Sequence, residues 1–205
     1  MSHTIRWILF DLGGVLYRID SQRCEQAFAQ LRPAIGLQEL YRQQPEIFHR
    51  FDTGKLSAAG FRDALRSAMQ IEASDREIDA AWNQLLIELF PRRLELLQEV
   101  RKQWQIALLS NTNPIHAEAI FSRYPDLPHL FEEVILSYQV GFRKPEPAIF
   151  QLVTHLLNAP PEHILFVDDV QDNIQAAAAQ GFQTLWLTDP EQLETEMYLH
   201  LVSSE

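Results

Sequence analysis

A single cysteine in 205 residues, Cys24, leaves no partner for an intramolecular disulfide and no thiolate set for an all-sulfur metal site. That usage fits a reducing compartment, and the expected location is cytoplasmic. Basic residues are also scarce. Lys+Arg 17 against Asp+Glu 28 gives a formal net charge of −11, which works against a sequence-independent grip on nucleic acid phosphates. No window approaches the roughly 18 consecutive apolar residues that a membrane span needs. The first ten residues lack the long apolar stretch and small-residue cleavage site of a secretory signal. Internal repeats and low-complexity tracts are absent as well. What is present is ample core material, 46% hydrophobic and 10% aromatic, in a length suited to one domain or one domain with an insertion. The expected partner is a small molecule rather than nucleic acid or membrane, and the expected assembly is a monomer or homodimer.

Runs rich in β-branched and large apolar residues predict strands at Ile5 to Phe10, Gln105 to Leu109, Glu133 to Leu136, His163 to Val167 and Gln183 to Leu187. Their near-continuous apolar character suits strands covered on both faces, and alternation with helical periodicity implies a parallel sheet with right-handed crossovers. The fold class is therefore α/β, a Rossmann-like open parallel sheet. The stretch between the first two strands far exceeds one crossover helix and has helical patterning. It predicts helices over Ser21 to Arg32, Leu37 to Phe51, Ser57 to Met69 and Asp75 to Phe90, the last opened by a capping box of Ser74 and Glu77. These read as an inserted helical subdomain over 18–88, set into a core of 1–17 and 89–205. Later helices are expected from Pro91 to Lys102, from Glu146 to Leu157, and from Gln171 to a stop at Gly181. A last helix follows Thr188-Asp189-Pro190.

Ligands of open α/β sheets bind beyond the carboxyl ends of the strands, so the polar residues after each apolar run should converge. Asp11 follows the first strand, Ser110 and Asn111 the second, and Asp168 and Asp169 the fourth, with Lys144 in the loop beyond the third. Three carboxylates crowded at one rim repel, and unrelieved repulsion raises a pKa. Lys144 supplies one positive charge. Hard oxygen ligands without His or Cys beside them suit Mg²⁺ better than zinc. A metal held by Asp11, Asp169, a backbone carbonyl and waters can also meet a phosphate oxygen, which points to phosphoryl transfer. An ionised Asp11 can attack phosphorus to form an aspartyl phosphate. Ser110, Lys144, the metal and backbone amides near Gly13 and Asn111 would stabilise the transferred group, while Gly13-Gly14 lets the backbone approach it closely.

Four segments carry a resemblance: Ile8-Leu9-Phe10-Asp11-Leu12-Gly13-Gly14-Val15, Leu108-Leu109-Ser110-Asn111-Thr112, Arg143-Lys144-Pro145, and Phe166-Val167-Asp168-Asp169 with Asn173 following. Together, in this order, the chain resembles the haloacid dehalogenase-like hydrolase superfamily, and the inserted helices look like its C1-type cap. The resemblance implies Asp11 as nucleophile, Ser110 and Lys144 as phosphoryl-group ligands, and Asp169 as a direct Mg²⁺ ligand. Asp168 would support or coordinate, and Gly13 would offer its carbonyl to the metal. A bacterial subgroup, the α-D-glucose-1-phosphate phosphatases, is similar in detail.

One departure stands out. Phosphatases of this superfamily usually carry a second Asp two positions after the nucleophile, as general acid and base, and here that residue is Gly13. General acid–base help is worth about 10²- to 10⁴-fold, or about 3 to 5 kcal/mol of barrier. Its absence should weigh most on poor leaving groups, so activated phosphates such as sugar 1-phosphates are the expected substrates. Two other functions fit parts of the pattern. Carbon–halogen hydrolysis also proceeds without the second Asp but has no use for paired metal-binding carboxylates, and a non-catalytic phosphate-binding protein would keep the pocket without turnover. Plainer roles are expected elsewhere: Asn113 as a helix cap, His116 as a solvated or capping residue, Cys24 as helix packing, and Arg50, Phe51 and Trp82 as cap core or surface. Tyr17 and Asp20 fall in the first hinge segment.

Overall fold

A computed structural model describes residues 4–203. Five strands, β1 (Trp7–Phe10), β4 (Gln105–Ser110), β5 (Glu133–Leu136), β6 (Ile164–Asp168) and β7 (Gln183–Trp186), form one sheet in the order β5-β4-β1-β6-β7. Every pairing in it is parallel, which is the α/β Rossmann-like sheet expected of the apolar runs. Strand β1 sits at the centre and shows why those runs are continuous. Ile8 and Phe10 enter one core cluster, while Trp7 and Leu9 enter another on the opposite face, so the period-two alternation of a strand buries all four residues.

Helices α6 (Arg93–Val100), α7 (Pro114–Arg123), α8 (Ser137–Val140), α9 (Pro147–Leu156), α10 (Gln171–Ala179) and α11 (Leu193–Ser203) accompany the sheet. The strand order matters for the site. Because β1 lies between β4 and β6, the residues that end these three strands, Phe10, Ser110 and Asp168, are brought to one rim of the molecule.

The inserted body comprises α1 (Ser21–Gln30), α2 (Leu37–Gln43), α3 (Pro45–Asp52), α4 (Ala58–Met69) and α5 (Asp75–Trp82). Phe28, Phe48, Phe51, Phe61, Leu65 and Met69 belong to a core cluster separate from the two that flank the sheet. Phe51 and Phe61 stack with centroids 4.0 Å apart. The Ser74–Glu77 capping box is formed, and Asp20 caps α1 by accepting from Gln22 N at 2.8 Å.

Two expectations need correction. The helix foreseen over Leu37 to Phe51 is two helices, because Pro45 forces Gln44 out of the α region, to φ −136° and ψ 59°. The helix foreseen over Asp75 to Phe90 stops at Trp82, turns through Asn83–Leu85 and continues as strand β3 (Leu86–Leu89). That strand pairs antiparallel with β2 (Tyr17–Ile19), an element too short to announce itself in sequence. The apolar run 85–90 suits either state, and the available partner decides it. Chain entry to and exit from the helical body therefore run side by side as a ribbon, and the junctions expected at 17/18 and 88/89 fall within it.

Candidate active site

Asp11 follows β1 directly and is 7% exposed. Its Oδ1 accepts from Lys144 Nζ at 2.6 Å. The same ammonium donates to Asp168 Oδ2 at 2.7 Å and to the Leu109 carbonyl at 3.0 Å, so all three of its protons have acceptors. Lys144 is 1% exposed, a placement lysine rarely takes unless paired. Burial by itself would lower its pKa, but Asp11 and Asp168 outweigh that effect and the pKa is raised. The ammonium therefore stays charged.

The loop carrying Lys144 is held through its backbone by the Asn111 side chain. Asn111 donates from Nδ2 to the Lys144 carbonyl and accepts from the Lys144 amide, each at 2.8 Å. The expected phosphate-binding residue Asn111 thus has its side chain engaged in fixing the cation. Ser110, 3% exposed, ends β4 beside it. The Lys144–Pro145 peptide is cis.

Asp168 is fully buried and saturated. Beyond Lys144, it accepts from Val170 N at 2.7 Å through Oδ1 and from Asn173 Nδ2 at 3.1 Å through both oxygens. Asp169 is less enclosed, and carboxylate oxygens of Asp11, Asp168 and Asp169 all lie within 4.8 Å of one another. Burial, and then Asp168, raise the Asp169 pKa. The Asp11 pKa is raised to about 7, burial being the largest influence, with Asp168 and Asp169 adding to it and Lys144 opposing. Three carboxylates against one ammonium leave an excess of negative charge in a desolvated place, so the oxygen donor set fits a divalent cation such as Mg²⁺.

The glycines have separate reasons. Gly14 has φ +81°, and a Cβ there would lie 2.1 Å from Asp169 Oδ2. Any larger residue would displace that carboxylate. Gly13 has no such conformational requirement. A Cβ added to it would meet Ile19 Cδ1 at 3.3 Å, so a β2 side chain lies where a side chain two positions after Asp11 would begin.

Several residues outside the expected set gather next to this rim. His116 is buried rather than solvated, at 5% exposure. Its ring stacks on Trp82 with centroids 4.9 Å apart, and Nε2 lies 3.1 Å from the Trp82 carbonyl. Burial lowers its pKa to about 4, so it is neutral at physiological pH. Asn113 caps α7 as expected, accepting from His116 N at 3.1 Å, but Oδ1 also lies 3.4 Å from Trp82 Nε1. Cys24 is buried, and desolvation lifts its thiol to about 12, which leaves it an unreactive packing residue. Asp52 pairs with Arg143 at 3.3 Å. Nothing in the expected motifs pointed to Asp52, although an acid at the end of a helix, where the dipole disfavours it, was a legible sign of a tertiary partner.

A buried nucleophile candidate, a lysine bridging two carboxylates and a third carboxylate poised for a cation define a phosphoryl-handling α/β hydrolase. The haloacid dehalogenase-like hydrolase family model matches residues 5–181, and the chain belongs to that family. It is 35% identical over 186 residues to the D-ribitol-5-phosphate phosphatase of Bacteroides thetaiotaomicron, covering 88% of this chain and 90% of that protein. Among solved structures, a haloacid dehalogenase-like enzyme of Bacteroides thetaiotaomicron in complex with magnesium and inorganic phosphate superimposes with TM-score 0.80. It has 35% identity and covers 89% of this chain and 93% of that one. A haloacid dehalogenase-like hydrolase from Porphyromonas gingivalis gives TM-score 0.85 at 26% identity, covering 97% and 98%. The chain is accordingly an enzyme of the phosphoric monoester hydrolase kind. No helix among the described residues is long and apolar enough to cross a membrane.

Proposed function

We propose that this enzyme is a Mg²⁺-assisted phosphatase for a small phosphorylated sugar or polyol, working through an aspartyl phosphate on Asp11. The observation that carries this reading is Lys144, whose buried ammonium ties Asp11 to Asp168 with Asp169 alongside. Asp11 and Asp169, with the Gly13 carbonyl, would hold the metal. When bound, the metal supplies charge neutralisation for the phosphoryl oxygens and keeps Asp11 ionised. Asp168 takes a supporting part, since Lys144, Asn173 and Val170 N already engage its oxygens.

Asp11 attacks phosphorus while Lys144 neutralises charge at its Oδ1. The Ser110 hydroxyl and the backbone amide of Asn111 receive the equatorial oxygens, and the leaving oxygen departs on the Gly13 side. Hydrolysis of the acyl phosphate returns Asp11. Without a carboxyl group at position 13, the leaving group takes its proton from solvent. Sugar 1-phosphates and aryl phosphates should therefore react faster than primary alkyl phosphates such as ribitol 5-phosphate, the ester type in the name of the Bacteroides relative.

The test is phosphate release across glucose 1-phosphate, p-nitrophenyl phosphate and ribitol 5-phosphate, with Mg²⁺ or with chelator. Rates should fall with leaving-group pKa, and Asp11→Asn should lose at least about 10³-fold and form no covalent adduct by mass analysis. Equal rates across these esters would overturn the leaving-group preference. Turnover that survives chelator would overturn the metal's role.

A further inference from the structure

The helical body meets the sheet body at a second polar cluster, in which Asp52 has no part in the chemistry above. It ends α3, where a carboxylate faces the negative end of the helix dipole and is locally disfavoured. Its support comes from the other body. Oδ2 lies 3.3 Å from Arg143 Nη1, with the two side chains 20% and 22% exposed. Burial raises the Asp52 pKa to about 6, while Arg143, the Asn113 amide and His49 pull it down.

The core partner is telling. Arg143 immediately precedes Lys144. One carboxylate of the helical body thus meets the loop that presents Lys144. The turn after α3 is seated against the same segment. Gly54 has φ +68°, and a Cβ there would lie 2.1 Å from the Tyr138 carbonyl oxygen, in the stretch that leads to Lys144. On the neighbouring turn of α3, His49 Nε2 lies 3.9 Å from Glu146 Oε1, two residues beyond Lys144. Asn111 fixes the Lys144 backbone from within the core, and Asp52 fixes the preceding residue from outside it.

We propose that Asp52 is a positioning residue for phosphoryl-group binding: by holding Arg143, it sets the Lys144 loop and couples docking of the helical body to phosphate affinity. This rests on the site assignment above for the identity of the bound group. An ion pair that is only one-fifth exposed is screened far less than a surface pair. Removing its acidic member leaves Arg143 without a counter-charge at the seam.

The experiment uses the full chain with Mg²⁺ and compares Asp52→Asn, Asp52→Glu, Arg143→Gln and the Asp52→Asn/Arg143→Gln pair. The readouts are kcat, KM for the best sugar phosphate, and the dissociation constant of inorganic phosphate. Asp52→Asn should raise KM and the phosphate constant about tenfold, with kcat within about threefold. Asp52→Glu should recover part of the loss, and the double variant should be no worse than Arg143→Gln alone. A lowered melting temperature with unchanged KM and phosphate affinity would reduce Asp52 to a structural role. Fully multiplicative single effects would break the link to Arg143. Arg143→Gln reads that link from the core side, so unchanged constants in it overturn the proposal even where an Asp52 variant folds poorly. If the wild type binds phosphate but hydrolyses no ester, the phosphatase reading fails, while phosphate affinity still decides the role of Asp52.

Discussion

Two buried polar clusters lie side by side in this enzyme, and they are built on opposite principles. At the rim of the sheet, Asp11, Asp168 and Asp169 face one cation, Lys144. At the seam, Asp52 is matched by Arg143, His116 is neutral, and Asn113, Trp82 and His116 engage one another's polar atoms. The rim carries a charge excess that only something from outside can balance. The seam is closed on itself. A cluster left incomplete receives a ligand, whereas a complete one holds two parts of the chain together, and the difference shows in the charge count before any chemistry is considered.

Three changes would break or sharpen this contrast. The largest effect should come from Lys144→Met, which strands two buried carboxylates and should cost about 3–5 kcal/mol of unfolding free energy. Excess Mg²⁺ should recover part of that loss by binding the native state. Denaturant melts with and without metal read it, and a variant as stable as wild type without metal would show that the rim tolerates its own charge. Next, Gly54→Ala imposes a strained φ and an overlap with the Tyr138 carbonyl. About 1–3 kcal/mol should be lost, with KM rising because the turn can no longer seat; a neutral substitution would mean the seam is loose.

The smallest effect is a pH slope. The folded-state pKa of His116 is depressed from 6.5 to about 4, so the unfolded chain takes up its proton first. The stabilisation is present above pH 6.5 and is lost as pH falls toward 4, by about 2 kcal/mol between pH 7 and 5. Asp52 has the opposite sign. Its pKa is raised from 3.8 to about 6, so the folded state protonates first and gains stability as pH falls from 6 toward 3.8. Melting temperatures at pH 7 and 5 should accordingly show a flatter acid loss in His116→Gln and a steeper one in Asp52→Asn than in wild type. Identical slopes in all three would remove both groups from the titration.

The rim was readable from sequence because each of its residues stands next to an element that sequence specifies well. Asp11, Ser110 and Asp168 end or follow strands whose apolar runs are unmistakable, and parallel pairing carries strand ends to one side. The seam was not readable in this way. His116 reads as solvated or capping, because a histidine near a helix start usually is, and it is instead buried with its ring stacked on Trp82 from another element. Strand β3 was hidden in what read as the last turns of a helix, since its partner β2 lies far away along the chain.

Local chemistry written along the chain was enough to determine the alternating apolar runs, the acid that follows each strand, the capping residues and the charge surplus at the rim. Tertiary structure alone decided that Lys144 reaches two carboxylates at once, that Ile19 stands beside Gly13, and that Asp52 meets Arg143. The reason is range. Periodicity and capping act over a few residues, whereas these contacts join segments whose meeting depends on strand order and on how the inserted helices settle against the sheet.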